Sequence, residues 1–74
     1  MDEGLEKALL EAHSRQDLSA LTTLYLRASD TSHDPDEAGF FLTQAYVFAL
    51  DHGDERAAEL RQQLVALGRE EKYP

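Results

Sequence analysis

The segment that most constrains the fold is residues 35–51, PDEAGFFLTQAYVFALD, because it is apolar around most of its circumference when drawn as a helix. Asp34 is positioned to cap the first free backbone amides, and Pro35 occupies the first helical position, where a missing N–H costs nothing. Glu37 follows the cap by three residues, as in a capping box. Gly53 lies just beyond the end and can adopt the left-handed conformation that terminates helices. These signals predict a helix over residues 35–51.

Three further segments have the periodicity of amphipathic helices, and none has that of a strand. Residues 2–14 and 18–29 repeat apolar residues every three or four positions, and Asp17 is positioned to cap the second of them. Residues 55–67 follow Asp54, which is expected to cap them in the same way. Short breaks join the first helix to the second and the third to the fourth, so each pair should form an antiparallel hairpin. The prediction is an all-α fold of four antiparallel helices, arranged as two stacked helix–turn–helix hairpins.

The length of the chain indicates one domain, residues 1–74. Within it we predict unit one at about 2–29, a linker at 30–34, unit two at about 35–67 and a short C-terminal tail at 68–74. A chain of this size buries only about 60% of its unfolded surface, so its core is thin. It has no cysteine and therefore no disulfide to compensate. Helix propensity, or association with another chain, has to supply the missing stability.

The charge balance limits the class of partner. The chain has 7 basic and 15 acidic residues, a formal net charge of −8. Nucleic acids and anionic membranes bind positive surfaces, so neither is expected as a partner, whereas a cationic protein is favoured. A mimic of DNA would carry its acids on one face, but here they lie mainly near helix starts and turns. No signal-peptide pattern and no membrane-spanning stretch is present, so we predict a cytoplasmic protein, and its small size favours a bacterial one.

The two hairpins resemble each other when they are aligned with a shift of 37 residues. The matching positions lie on the apolar face of each first helix and at the start of each second helix. The identical pairs are Leu5 and Leu42, Ala8 and Ala45, Ala12 and Ala49, Asp17 and Asp54, and Ala20 and Ala57. Small alanines between larger residues allow two helices to approach closely. The pattern therefore indicates an internal repeat of one packing unit.

This layout resembles the tetratricopeptide (TPR) repeat, a helix–turn–helix unit of about 34 residues. The matching residues are Leu5, Ala8, Leu9, Ala12, Asp17, Leu21, Tyr25 and Ala28 in the first unit, and Leu42, Ala45, Tyr46, Ala49, Gly53, Asp54 and Ala58 in the second. The chain departs from the family at Gln16, where a glycine is expected, and at Gln62, where an aromatic is expected. Its linker is about three residues longer than the family's. It also has two units, whereas stable arrays have at least three or a capping helix.

The third helix has more apolar surface than one core face needs. The predicted core arc consists of Phe41, Leu42, Ala45, Tyr46, Phe48 and Ala49. Phe40 and Val47 lie on the opposite arc, two turns apart and within roughly 20° of each other at 100° per residue. Two interpretations remain open. Either the first helix or the loop covers Phe40 and Val47, or these two side chains form a contact surface.

The TPR resemblance implies where that contact surface lies. TPR-like units bind extended peptides or helices along the inner surface formed by the first helix of each unit. Carried onto this chain, the inner positions are Glu3, Glu6, Leu10, His13 and Ser14, followed by Phe40, Thr43, Val47, Leu50 and Asp51. Glu3 and Glu6 would pair with a Lys or Arg of the partner, and Phe40 and Val47 would receive a Leu, Phe or Met. The expected partner is therefore a protein or peptide with basic and apolar residues.

Two alternatives come from other classes of function. In the first, the chain is a homodimeric helical bundle with a structural role, in which Phe40 and Val47, or the stripe of the last helix, meet a second copy. The stripe consists of Ala57, Leu60, Leu64 and Leu67. In the second, a cleft between the hairpins binds a small molecule or a metal ion.

Catalysis and cofactor binding are not expected. The chain has no Gly-rich phosphate loop and no nucleophile elbow, and its serines and acids occupy polar faces and turns. Its three histidines are not paired at helical i, i+4 spacing, and no cysteine can assist them. The loop around His33 lacks the alternating ligands and central glycine of an EF-hand. The sequence therefore predicts a protein that is not an enzyme and holds no metal or cofactor.

Overall fold

Four α-helices make up the computed structural model, which describes residues 3–68. Their bounds are α1 Glu3–Arg15, α2 Leu18–Thr31, α3 Pro35–Asp51 and α4 Arg56–Ala66. No strand occurs within residues 3–68, so the predicted all-α class is confirmed. The close packing of α1 on α2 and of α3 on α4 fits the two predicted hairpins, and α2 packs most extensively on α3. Asp2 at the predicted start of the first helix and residues 69–74 of the predicted tail lie outside the described residues.

Two of the three predicted acidic caps, Asp17 and Asp34, act as the sequence predicts. The Asp17 carboxylate accepts a hydrogen bond from the backbone N–H of Ala20 at 3.1 Å. The Asp34 carboxylate accepts one from the N–H of Asp36 at 2.9 Å, and α3 begins at Pro35. Asp54 accepts from the N–H of Arg56 at 2.9 Å, but α4 begins one residue later than expected, so its N-cap is Glu55 and not Asp54. These bonds satisfy backbone donors that the first turn of a helix leaves unpaired.

Glu37 does not complete a capping box. Its Oε1 accepts a hydrogen bond from the Ser32 hydroxyl at 3.0 Å instead of from the backbone of Asp34. The Asp34 N–H donates to the Ser32 hydroxyl oxygen at 3.4 Å. The Ser32 hydroxyl therefore bridges Asp34 and Glu37. The predicted capping box between these two residues is wrong.

Helix α2 extends to Thr31, two residues beyond its predicted end. The Thr31 hydroxyl donates to the Arg27 carbonyl at 3.0 Å within the helix. The Ser29 hydroxyl donates to the Ala38 carbonyl of α3 at 2.9 Å. The Thr31 hydroxyl is thus satisfied within α2, and the Ser29 hydroxyl joins the end of α2 to α3. The linker between the hairpins shortens to residues 32–34.

The turns of the two hairpins have the same backbone structure at a spacing of 37 residues. In each turn an aspartate N–H bonds to the carbonyl five residues earlier, and the residue before it bonds to the carbonyl three residues earlier, as at helix ends closed by a left-handed residue. The four bonds run from Asp17 to Ala12 (3.0 Å), Gln16 to His13 (3.1 Å), Asp54 to Ala49 (2.8 Å) and Gly53 to Leu50 (3.2 Å). The left-handed residues are Gln16, at φ +55°, and Gly53, at φ +68°. The first turn therefore has the same structure as the second, but its left-handed residue is Gln16, for which this conformation is strained.

Exchanging the left-handed residues should change stability in opposite directions. Gln16→Gly is expected to raise the free energy of unfolding by about 0.5–1 kcal/mol, because a Cβ makes this conformation costly. Gly53→Gln should lower it by about the same amount, and only through the backbone, since a Cβ at Gly53 meets no atom within 4 Å. Urea unfolding followed by circular dichroism measures both changes. Shifts of the same sign would show that the two turns are not equivalent.

The core consists of two apolar clusters that meet on α2. The first cluster joins α1 and α2 to one face of α3, and its buried members are Leu5, Leu9, Ala12, Leu21, Ala28 and Phe41. The second joins α3 to α4, and its buried members are Leu42, Ala45, Ala49, Leu60 and Leu64. Phe48 packs on the first cluster and Tyr46 on the second, so the predicted core arc of α3 is confirmed.

Tyr25 is the side chain that touches both clusters. Its ring stacks on Phe48 with a centroid separation of 5.7 Å and an interplanar angle of 11°, and it also lies 6.1 Å from Phe41. Its hydroxyl lies 3.0 Å from Nε2 of His13. Burial raises the pKa of Tyr25. The ring therefore links α1, α2 and α3 at one point.

Helix α4 is rotated relative to α2, so the 37-residue repeat does not extend through the second helices. At that shift Leu60 and Leu64 would correspond to Thr23 and Arg27, which are exposed. Their burial is closer to that of Leu24, which is half-buried, and of Ala28, which is buried, at a shift of 36. The entrance to α4 contributes to this change, because the N–H of Ala57 bonds to the carbonyl of Asp54, three residues earlier. The corresponding bond in α2 spans four residues, from Leu21 to Asp17.

Arg56 ties the start of α4 to α2. Its guanidinium donates to the Asp54 carboxylate, at 2.6 Å from Nη2 and 3.0 Å from Nε, and to the Thr23 hydroxyl at 2.9 Å. These hydrogen bonds hold the pKa of the Asp54 carboxyl well below its usual range, and His52 adds a further contact at 3.0 Å. The charge-assisted bonds fix how the second hairpin sits against α2.

No helix within residues 3–68 combines the length and the apolar composition that crossing a membrane requires.

Candidate functional site

The exposed apolar surface of the described residues is concentrated on α3. The large exposed apolar side chains are Leu10, Phe40, Val47, Leu50 and Leu67, of which three lie on α3. Phe40 is 56% exposed, Val47 42% and Leu50 53%. Neither α1 nor the loop before α3 covers Phe40 and Val47, so that interpretation is wrong. Phe40, Val47 and Leu50 are called the α3 strip below.

The α3 strip is exposed because the neighbouring helices cover only the other arcs of α3. Phe41 and Phe48 face α1 and α2, and Leu42, Ala45 and Ala49 face α4 and α2. At 100° per residue, the α3 strip lies opposite the centre of this buried arc. The helix is therefore apolar on a face that the fold does not cover.

One predicted site residue of α1, His13, reaches α3. His13 contacts Phe48 with a ring-centroid separation of 5.7 Å, which places the end of α1 along the Phe41 and Phe48 side of α3. Leu10 is 65% exposed, and the other predicted residues of α1, namely Glu3, Glu6, His13 and Ser14, are exposed as well. On α3, Asp51 is exposed and Thr43 is half-buried. The predicted residues of both helices are thus accessible.

The electrostatic character around the α3 strip is acidic. Helix α3 carries Asp36, Glu37 and Asp51 and has no Lys or Arg. On α1, Glu3 and Glu6 lie in the first turn, at the opposite end of the helix from His13, which contacts α3. A negative surface next to exposed apolar side chains suits a partner with basic and apolar residues.

The sequence prediction of the site missed two residues of α3, Glu37 and Gln44. They precede Asp51 at seven-residue intervals, so the three residues form one line along α3. At 100° per residue this line lies between the α3 strip and the side that faces α1. Glu37 and Asp51 are exposed and Gln44 is half-buried. This line could have been found from the sequence alone, because its members are seven residues apart. Glu37, Gln44 and Asp51 are called the acidic edge below.

The stripe predicted for self-association is mostly not accessible. Leu60 and Leu64 are 2% and 1% exposed, because they pack on Leu42, Ala45 and Ala49 within the same chain. Ala57 is half-buried, and only Leu67 is exposed. The stripe of α4 closes the second hairpin, so the prediction that it meets a second copy does not fit the structure.

Two cavities lie away from the α3 strip. One, of about 220 Å³, is lined by Ala28, Thr31, Ser32, His33, Asp34, Glu37 and Phe41 at the linker. The other, of about 210 Å³, is lined by Leu26, Asp30, Arg56, Glu59, Leu60 and Gln63 between α2 and α4. Within residues 3–68, no group of three His, Cys, Asp or Glu side chains is arranged to hold a metal ion.

Comparison of the chain with protein-family models, with curated proteins and with solved structures gave no match. The arrangement of α1 and α3 is therefore the basis for a functional proposal.

Proposed function

We propose that the chain is a small TPR-like module that binds a protein or peptide with basic and apolar residues. The α3 strip receives the apolar side chains, and the acids of α1 and α3 pair with the basic ones. The observation that carries the proposal is the exposure of Phe40 and Val47, which lie two turns apart on one line of α3. We place the module in the bacterial cytoplasm, as predicted from its sequence.

Desolvation of the α3 strip supplies the driving force. Fully burying a Val, Leu or Phe side chain contributes about 1.5–3 kcal/mol, and roughly half of Phe40 and of Leu50 is still exposed to water. A partner that covers these side chains gains the remaining part. A few central apolar anchors carry most of the energy in protein interfaces. Phe40 and Val47 are such anchors here.

The repeated turn supports the TPR-like part of the proposal. The two hairpins close with the same pair of backbone hydrogen bonds, 37 residues apart. Each first helix contributes a buried series of a leucine and small alanines, such as Leu5 and Ala12 in α1 and Leu42 and Ala49 in α3. The two first helices are therefore built to one pattern, and they meet through side chains such as His13 of α1 and Phe48 of α3.

A basic partner is favoured over a second copy of the chain. The net charge of −8 means that two copies repel each other. Two α3 helices brought together would also place acids opposite acids, because α3 has no Lys or Arg to compensate. The experiment below has to distinguish a basic partner from the alternative, a homodimer built on the α3 strip.

The test uses a displayed library of random peptides selected on the wild-type chain. Selected peptides are expected to combine Lys or Arg with Leu, Phe or Met. The double variant Phe40→Ser/Val47→Ser should bind them at least about tenfold more weakly, because both anchors are lost. Its helical circular dichroism and Tm should stay close to those of the wild type, since both side chains are exposed. Leu67→Ser is the control, because Leu67 is also an exposed apolar side chain but lies at the end of α4 and not on α3.

Three outcomes would contradict the proposal. Equal binding by the double variant and by the wild type would remove the α3 strip from the site. A large fall in Tm for the double variant would show that the two side chains stabilise the fold. Sedimentation of the wild type as a dimer, and of the double variant as a monomer, would assign the strip to self-association.

A further inference from the structure

Three exposed positions of α3 and one half-buried position, Thr43, have the spacing of a coiled-coil seam. Phe40, Thr43, Val47 and Leu50 follow one another at intervals of three, four and three residues. This is the alternation of the a and d positions of a heptad, which packs one helix against another by knobs into holes. Three of these side chains are between 42% and 56% exposed. The seam extends over about 1.5 heptads of α3 and is not covered within residues 3–68.

Thr43 is compatible with burial in such a seam. Its hydroxyl donates to the Gly39 carbonyl at 3.0 Å within α3. A polar group that already has a hydrogen-bond partner can be covered without leaving an unpaired donor. A partner can therefore pack over Thr43 without the penalty that a buried hydroxyl would otherwise bring.

The acidic edge lies where a coiled coil places its charged residues. Glu37, Gln44 and Asp51 each follow a d position or its equivalent by one residue, which makes them e positions of the same heptad. Asp51 lies in the last turn of α3, where the helix dipole disfavours a carboxylate. No ion pair within the described residues involves Asp51. A local cost of this kind is offset if a basic residue of a partner pairs with Asp51.

We infer that the partner is a single amphipathic α-helix that lies along α3, with apolar residues in heptad spacing and Lys or Arg facing the acidic edge. The inference rests on the proposed function and specifies its partner. Phe40 and Val47 are about 10.5 Å apart along the helix axis, the distance between residues seven apart in a partner helix. The charge of the acidic edge selects a basic helix over a second copy, whose own edge is acidic.

The test uses two synthetic peptides of three heptads. The first has Leu at every a and d position and Lys at every e and g position. The second is the same peptide with proline at its central position, which breaks the helix. Isothermal titration calorimetry should show binding of the first peptide and binding at least about tenfold weaker for the second. Circular dichroism of the mixture should show more helix than the sum of the separate components.

Charge variants test whether the basic residues of the partner face the acidic edge of α3. Asp51→Lys should weaken binding of the first peptide by about tenfold, because an attraction becomes a repulsion. The variant should not lose stability, since a cation suits the end of a helix. Glu11→Lys is the control, because it makes the same change in net charge at an exposed site on the far side of α1. It should weaken binding by no more than about twofold.

The failures of the two proposals can be told apart. If both peptides bind equally, or if Asp51→Lys binds as the wild type does, the helical partner is wrong. The proposed function stands in that case provided that Phe40→Ser/Val47→Ser still loses binding. If the double variant binds the first peptide as tightly as the wild type does, the α3 strip is not the site and both proposals fail. A wild-type dimer that the first peptide does not dissociate would identify a second copy as the occupant and overturn the inference.

Discussion

Leu64→Ala is expected to lower the free energy of unfolding by about 2–4 kcal/mol, one of the two largest effects that a single substitution should have in this chain. Leu64 is 1% exposed and lies in the second core cluster with Leu42, Ala45 and Ala49. Its truncation removes apolar contacts and leaves a cavity, because α4 contributes only Leu60 and the small Ala57 to this cluster besides Leu64. For a chain of 74 residues the total stability is about 4–11 kcal/mol, so the loss is a large fraction of it.

The matched control for this prediction is Leu10→Ala. Leu10 is the same residue type in the middle of a helix, but it is 65% exposed. Its truncation should change the free energy of unfolding by no more than about 0.5 kcal/mol. Urea unfolding followed by circular dichroism compares the two variants. Equal losses would mean that Leu64 is not a core residue and would restore the stripe of α4 as a surface for a second copy.

Tyr25→Ala should lower the free energy of unfolding by about 2–3 kcal/mol. The ring contacts His13 of α1 and both Phe41 and Phe48 of α3, so its removal opens the junction of three helices. The loss should be smaller than for a fully buried aromatic residue, because Tyr25 is only partly buried. Thermal unfolding should show a lower Tm and a less cooperative transition, since Tyr25 joins the two clusters.

Tyr25→Phe separates the ring from the hydroxyl. This variant keeps the stacking on Phe48 and loses only the hydrogen bond to His13, so its cost should be about 0.5–1.5 kcal/mol. If Tyr25→Phe and Tyr25→Ala were equally destabilising, the hydroxyl and not the ring would hold the hairpins together.

The sequence is most informative where the interactions are local. The caps Asp17 and Asp34 and the helix terminator Gly53 each act on backbone groups within five residues, so residue type and spacing are sufficient to find them. The prediction of α3 over Pro35–Asp51 matches the structure for the same reason. The strained turn at Gln16 could be located only through its equivalence with Gly53.

The sequence is least informative where the packing of one helix depends on another. The stripe of α4 is apolar whether it faces the core or a second copy, so periodicity alone could not show that Leu60 and Leu64 are buried. The backbone bond from Ala57 to Asp54 at the start of α4 spans three residues and not four, and the sequence gives no signal for it. The long-range bond from Arg56 to Thr23 joins residues that only the fold brings together.

The candidate site is an intermediate case. Helical projection was enough to separate Phe40 and Val47 from the core arc of α3, because the arc opposite the core follows from the geometry of one helix. Projection could not show whether another segment covers them, which depends on where α1 and the linker lie. Their exposure of 56% and 42% resolves that alternative.

The order of helix packing has a consequence for how the chain folds. The helix backbones pack in sequence order, α1 on α2, α2 on α3 and α3 on α4, within the described residues. Each new interface therefore requires closing only a short stretch of chain, so the loss of chain entropy before contacts form is small. Helical domains of this low contact order fold in about microseconds to milliseconds. The chain therefore spends little time in partly folded states. Its exposed apolar face on α3 is presented mainly by the folded protein.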